Sequence, residues 1–118
     1  FIASEECSAH INFKNKVVSV DEGETDLILK ELTPVRLMKN DFHQKIQNAY
    51  ANNASKEELI NLLGKGRAKK GMFEGDLVEG ELEIGQIAGL IHDIKPVNKI
   101  VEDIMDEFEE AKNISINF

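Results

Sequence analysis

The sequence EGELEIGQIAGLI occupies residues 79–91 and continues through Ile94-Lys95-Pro96 into a long amphipathic segment. Gly85 and Gly89 are four residues apart, so on a helix their bare faces stack and let another backbone approach closely. Gln86 lies beside them and carries two hydrogen-bond donors and two acceptors. The stretch therefore fits either tight helix packing, which is the commoner use of such glycines, or the edge of a small-ligand site.

Residues 96–118 give the clearest helix prediction in the chain. Apolar side chains recur at i, i+3, i+4, i+7, i+8 and i+11, which places them on one continuous face. They are Val97, Ile100, Val101, Ile104, Met105 and Phe108. Pro96 suits the first turn of this helix, and we interpret the acidic residues between the apolar ones as its solvent-facing side.

The rest of the chain predicts short strands between helices. Strands are expected at residues 1–3, 26–32 and 35–38. Further helices are expected at residues 9–20, 41–51, 56–63 and 67–73. The start of the second of these is marked by Asn40 or Asp41, and the start of the third by a capping box at Ser55. The predicted fold class is mostly α with a few short strands, an α+β arrangement.

Short motifs are spread over most of the chain. In order, they are Phe1-Ile2-Ala3-Ser4-Glu5-Glu6, Ser8-Ala9-His10, Phe13-Lys14, Thr33-Pro34-Val35-Arg36, Lys39-Asn40, Glu74-Gly75-Asp76-Leu77 and Gly85-Gln86-Ile87-Ala88-Gly89-Leu90. Together, in this order and spacing, they resemble the C-terminal end of the flavin-dependent nitronate monooxygenase and enoyl-acyl carrier protein reductase II family.

The resemblance implies a TIM (β/α)8 barrel enzyme, and such barrels need about 250 residues. The 118 residues here, which open on Phe1 without an initiator methionine, are then expected to be the C-terminal fragment of one. We expect residues 1–20 to hold the end of the last barrel strand and its helix, 21–95 to form a helical cap with short strands, and 96–118 to form the C-terminal helix. The family's flavin-phosphate loops and catalytic histidine would precede this fragment, so no catalytic or cofactor-binding residue is expected within it.

The resemblance also implies the chemistry of a parent enzyme. It would be an FMN-dependent oxidoreductase that either reduces an enoyl-acyl carrier protein with NAD(P)H or oxidises a small-molecule nitronate with oxygen, and the sequence leaves both open. The fragment alone is expected to be inactive and to bind FMN poorly. Because its apolar surfaces would lack the barrel, self-association is also expected. The alternative is a free-standing acidic helical interaction module without catalysis.

Two places in the chain are candidates for a substrate pocket. Gln86, with Gly85, has an amide that can hydrogen-bond a substrate carbonyl or nitro group, although it cannot move a proton or a hydride. His10 falls, by the resemblance, in the turn after the last barrel strand, where it either lines the flavin's surroundings or only caps a helix. His10 and Cys7 are too few ligands for a structural zinc site, so no metal is expected.

The one cationic cluster of this acidic chain comprises Lys65, Arg67, Lys69 and Lys70. It is not a phosphate-binding P-loop, because the order of glycine and lysine differs and the hydroxyl residue is missing. The resemblance implies a docking surface for an acidic acyl carrier protein, steered by charge. The alternative is a solvated helix end, where cations are favoured by the helix dipole.

Composition narrows the remaining function classes. A net charge of −8, without an aromatic and basic strip, argues against nucleic-acid binding. The single cysteine, Cys7, allows no intrachain disulfide and suits a reducing compartment. No apolar run approaches the roughly 20 residues that span a bilayer. We therefore expect one cytoplasmic globular segment without nucleic-acid or membrane partners.

Overall fold

The computed structural model describes residues 1–116 of the chain. Its helices are α1 (Ile11–Ser19), α2 (Asp41–Ala51), α3 (Lys56–Leu63), α4 (Arg67–Met72), a short 3-10 helix (Gln86–Leu90) and α5 (Val97–Ile116). Its strands are β1 (Thr25–Ile28) and β2 (Val35–Met38), which pair as an antiparallel hairpin with Thr25 opposite Met38. The prediction of a mostly helical chain with a few short strands is confirmed.

Two predicted strands differ from the structure. Residues 1–3 do not form a strand: the Ser4 N–H donates to the Phe1 carbonyl at 3.1 Å, closing a turn, and Ser4 alone pairs with Lys95. The strand predicted over residues 26–32 ends at Ile28, because Leu29 has a φ of +56°, which is outside the extended region. The last two residues of the helix predicted over 96–118 lie outside the described part of the chain.

The segment that follows Glu81 runs along the second edge of β2. The Met38 N–H donates to the Leu82 carbonyl at 2.9 Å, and the Ile84 N–H donates to the Arg36 carbonyl at 3.1 Å. Leu37 and Glu83 are antiparallel neighbours between these two bonds. Residues 82–84 are thereby attached to the β1–β2 hairpin by backbone hydrogen bonds.

Strand β2 also joins two hydrophobic cores. Successive side chains of a strand point to opposite faces, and Met38 lies in a core with Phe13 and Val17 of α1, whereas Leu37 lies in a core with Phe42 of α2. Both β2 side chains are fully buried. The hairpin is therefore the layer between α1 on one side and the α2–α3 pair on the other.

Asn40 connects the start of α2 to the loop of residues 77–80. Its side-chain oxygen accepts from the His43 N–H at 3.0 Å, which is the predicted N-cap. Its amide nitrogen donates to the carbonyls of Leu77 at 2.9 Å and Gly80 at 2.8 Å. One side chain thus satisfies groups on both segments. The capping box predicted at Ser55 is also confirmed at the start of α3.

Helix α5 projects from the body of the protein. The radius of gyration is 17.4 Å, whereas a compact domain of this length has about 13 to 14 Å, and no residue between Val97 and Ile116 is buried. The start of α5 is fixed, because the Val97 N–H donates to the Glu6 carboxylate at 2.8 Å. Asp103 also binds Lys95 at 2.8 Å and Lys99 at 2.9 Å. The helix is therefore anchored in its first turns and exposed to solvent beyond them.

Replacing Asn40 separates its two roles. We expect Asn40→Ala to lower the free energy of unfolding by about 2 to 3 kcal/mol, since it removes the α2 cap and leaves two partly buried carbonyls without their donor. Asn40→Ser keeps a capping oxygen and loses only the amide, so a smaller loss of about 1 kcal/mol is expected. Urea unfolding followed by circular dichroism measures both. An Asn40→Ser variant as stable as the unmodified protein would contradict the role of the amide.

Candidate functional site

An apolar groove of about 310 Å3 opens between the first residues of the chain, the 3-10 helix and α5. Its apolar lining includes Phe1, Ile2, Ile84, Ile87, Ile100 and Ile104. Four charged side chains also border it: Asp93, Lys95, Asp103 and Glu107. Small-molecule sites are usually apolar concavities of about this size with a few polar groups, so the groove is the candidate binding site.

Gly85 and Gly89 have different surroundings. Gly85 is extended, with a φ of −78°, lines the groove, and would leave an added Cβ without any neighbour within 4 Å. Gly89 is buried in the 3-10 helix, where an added Cβ would lie 2.7 Å from the Cα of Glu22. The prediction that both glycines stack on one helix face is therefore wrong. Gly85 is extended and directly follows the segment paired with β2, and the 3-10 helix begins only at Gln86.

Gln86 and His10 lie in different places. Gln86 is exposed at the first position of the 3-10 helix, between Gly85 and Ile87, which both line the groove. The Nδ1 atom of His10 accepts from the Asn12 N–H at 3.0 Å and so caps α1. His10 is not among the residues that line the groove. Of the three predicted substrate-pocket residues, only Gly85 lines the groove. Gln86 follows it in the chain without lining the groove, and His10 caps α1.

The ring of His10 also lies against Gly75. A Cβ built on Gly75 would overlap the imidazole, and Gly75 itself has a φ of +74°. The backbone N–H of His10 donates to the Met72 carbonyl at 2.7 Å. His10 therefore ties α1 to the turn that follows α4.

The cationic cluster divides into one half-buried arginine and three exposed lysines. The Arg67 guanidinium donates to the carbonyls of Leu63 at 2.7 Å and Glu79 at 2.7 Å, and lies over the Phe42 ring at 4.4 Å from its centre. Such a planar group with five donors can close a helix end and stack on an aromatic ring at once. Arg67 therefore belongs to the fold rather than to a free docking surface.

The three lysines face solvent. The ammonium of Lys69 is 3.9 Å from Glu74, and that of Lys70 is 4.0 Å from Asp76. Exposed pairs at such distances are weak. Lys65, Lys69 and Lys70 therefore remain accessible to an anionic partner.

Glu81 is a buried carboxyl that the sequence analysis missed. Only 7% of the residue is exposed, and burial raises its pKa to about 7, aided by the nearby Glu83 carboxylate and opposed by the charge of Arg67. The sequence pattern that could have revealed this buried carboxyl is the alternation Glu81-Leu82-Glu83-Ile84, since alternate residues of an extended segment share one face. This segment pairs with β2, so the two carboxyls are held together.

Neither a metal-binding cluster nor a membrane-spanning helix is found among the described residues. Within residues 1–116, no group of three or more histidine, cysteine, aspartate or glutamate side chains is placed to hold a metal ion. In the same part of the chain, no helix combines the length and the apolar character that crossing a membrane requires.

Comparison with solved structures finds a protein of similar structure. No protein-family model matches the chain. Its structure is similar to FabK from Thermotoga maritima. The two are 34% identical, with a TM-score of 0.83 over 95% of this chain. A mutant of the same FabK gives 31% identity and a TM-score of 0.80 over 99% of this chain. In both cases the chain spans 35% of the length of FabK.

The likeness to FabK covers the elements that build the groove. Since it extends over 95% or more of the chain, it includes the hairpin, the 3-10 helix and most of α5. The predicted resemblance to part of an enoyl-acyl carrier protein reductase II is therefore supported by the likeness to FabK, whereas the resemblance to nitronate monooxygenases is not shown.

Gly89 and Gly85 offer a matched pair of substitutions. Gly89→Ala would place a methyl group 2.7 Å from the Glu22 Cα and 2.8 Å from its nitrogen, so the backbones must separate, and we expect a loss of about 1 to 3 kcal/mol of stability. Gly85→Ala meets no neighbour at an ordinary φ and is expected to be neutral. Thermal unfolding measures both. Equal melting temperatures for the two variants would contradict the close approach at Gly89.

Glu81 makes stability depend on pH near neutrality. Because its folded pKa is about 7 and its ordinary value is 4.5, the folded state holds a proton that the unfolded state releases. The stabilisation is complete below pH 4.5 and is lost as pH rises through 7. Glu81→Gln removes this loss, so we expect its free energy of unfolding at pH 8 to exceed that of the parent by up to about 3 kcal/mol.

Urea unfolding at a series of pH values measures this difference. As a control, Glu83→Gln keeps Glu81 ionisable and is expected to give a smaller gain, since it removes only the neighbouring charge. Stability curves that run parallel for the parent protein and Glu81→Gln would contradict the raised pKa.

Proposed function

We propose that this chain is the C-terminal part of an FMN-dependent enoyl-acyl carrier protein reductase II, an enzyme that reduces an enoyl thioester with NAD(P)H. The observation that carries the proposal is the likeness to FabK, an enoyl-acyl carrier protein reductase II, at 34% identity over 95% of the chain. In this proposal residues 1–20 supply the end of the last barrel strand, whose residues 1–3 form a turn in this chain, and its helix. Residues 21–95 supply the cap and residues 96–118 the C-terminal helix. The rest of the barrel lies in the remainder of the enzyme.

In the proposed enzyme, the groove and its edge position the substrate. Its apolar lining suits the hydrocarbon part of an acyl thioester. The exposed amide of Gln86, which follows the groove-lining Gly85 in the chain, suits a hydrogen bond to the thioester carbonyl. Gly85 keeps that edge free of a side chain. These groups bind and orient, and none of them transfers a proton or a hydride. The role of His10 near a substrate stays a prediction beside its observed capping role.

The groove does not fit the phosphate of FMN. Three of its four charged side chains are carboxylates, from Asp93, Asp103 and Glu107, and its one lysine, Lys95, is bound to Asp103 at 2.8 Å. An anionic phosphate would be repelled there. We therefore propose that other parts of the enzyme hold FMN, which supplies the hydride chemistry when bound, and that the 118-residue chain alone is inactive.

We place the acyl carrier protein against Lys65, Lys69 and Lys70. These lysines are exposed and stand out in a chain whose net charge is −8. An acidic partner would be steered to such a patch by charge complementarity. Cys7 is a free thiol and suits the reducing cytoplasm in which we expect the enzyme to work.

The test compares substrates on the full-length enzyme encoded by the gene of this chain. We expect NAD(P)H-dependent reduction of an enoyl-acyl carrier protein, and no tight FMN binding by the 118-residue chain in a flavin fluorescence titration. Oxidation of alkyl nitronates without enoyl reduction would move the function to nitronate oxidation. Absence of both activities and of flavin would favour an interaction module. Stoichiometric FMN binding by the 118-residue chain would contradict the proposed division of the enzyme.

The same assay tests the docking patch. A triple change of Lys65, Lys69 and Lys70 to glutamate is expected to raise KM for the carrier-bound substrate several-fold and to leave KM for the same acyl group on a small thiol unchanged. Changing the exposed Lys30, Lys39 and Lys56 to glutamate is the matched control for net charge. Equal effects of the two triple changes would contradict docking at the patch.

A further inference from the structure

Lys14, which belongs to the Phe13-Lys14 motif, is a buried lysine of α1. Only 6% of the residue is exposed, and among the lysines and arginines of residues 1–116 no other is buried. A lysine on a helix usually buries its methylene stem and keeps its ammonium in water. Lys14 does not line the groove and is not one of the three patch lysines, so its burial needs a separate explanation.

The ammonium of Lys14 has a backbone partner instead of a counter-ion. It donates to the Glu5 carbonyl at 3.3 Å, and none of the ion pairs formed within residues 1–116 includes it. Burying an ammonium without a carboxylate costs stability, so packing alone would favour an apolar side chain of the same length. What the ammonium adds is a charge-assisted hydrogen bond to one carbonyl.

Glu5 connects this bond to the start of α5. Its backbone N–H donates to the Lys95 carbonyl at 3.0 Å. The next residue, Glu6, accepts from the Val97 N–H at 2.8 Å through its carboxylate. This short segment is therefore held by α1 on one side and holds the first turn of α5 on the other.

Both helices that are joined in this way line the groove. Val17, one turn further along α1 than Lys14, is a lining residue, and so are Ile100 and Ile104 of α5. No residue of α5 between Val97 and Ile116 is buried. The place of α5 relative to α1 therefore depends strongly on the bonds at its start.

We infer that Lys14 is a positioning residue: through the Glu5 backbone it fixes the start of α5 relative to α1, and thereby the width of the groove. Lys14 itself touches no ligand and acts only through Glu5. The binding of a substrate in the groove rests on the proposed function, whereas the link from Lys14 to α5 does not.

Hydrogen exchange of the full-length enzyme carrying Lys14→Met tests this link. Methionine fills a similar space without the hydrogen bond and removes a buried charge, so we expect the melting temperature to stay equal or to rise. Exchange of the Glu5 and Val97 amides, read by mass spectrometry, should nevertheless become several-fold faster, because exchange reports local opening. Exchange of the α2 amides should stay unchanged.

Lys16→Met is the matched control. It removes the same charge from the same helix, and Lys16 is only half-buried, so exchange at Glu5 and Val97 should equal that of the parent. Unchanged exchange at both amides in Lys14→Met would overturn the inference. An equal increase throughout α1 and α2 would also overturn it, since Lys14 would then only support the fold.

Enzyme kinetics test the consequence for the groove. In the proposed reductase, Lys14→Met should raise KM for the enoyl substrate several-fold and leave kcat unchanged, because it displaces a binding wall and no reacting group. Lys16→Met should change neither constant. Equal KM values for the two variants would overturn the link to the groove. An enzyme without enoyl reduction would contradict the proposed function, and hydrogen exchange would still decide the role of Lys14.

Discussion

Adjacent residues of one short strand lie in two different hydrophobic cores. Leu37 packs with the α2–α3 core and Met38 with the α1 core, because neighbouring side chains of a strand leave on opposite faces. The same strand accepts β1 on one edge and residues 82–84 on the other. Its position therefore fixes how β1, residues 82–84 and the two cores are arranged around it.

The candidate site depends on this strand through backbone pairing and through Met38, which shares a core with the groove-lining Ala3 and Ala88. Residues 82–84 are held extended, so Gly85 reaches the groove and the 3-10 helix begins at Gln86. The same pairing places Glu81 and Glu83 on one face. Burial of the Glu81 carboxyl disfavours its charged form. Attaching residues 82–84 to the hairpin therefore has an electrostatic cost at neutral pH.

Local signals predicted the structure well, and long-range contacts explain the failures. The Asn40 cap, the Ser55 capping box and strand Val35–Met38 depend on neighbouring residues, and all three are present. The roles of Arg67 and Gly89 depend on Glu79 and on the Glu22 backbone, which no local pattern reveals. The FabK likeness was visible because the order of several motifs, rather than any single one, carries it.

The contact between His10 and Gly75 makes their mutations interdependent. Gly75 is constrained twice, by a left-handed backbone and by the imidazole that occupies the space of a side chain. Any first substitution at position 75 meets both constraints. If His10 is first replaced by a smaller residue, only the backbone constraint remains, and asparagine or aspartate can satisfy it. Sequence drift at this turn is therefore ordered, with position 10 changing before position 75.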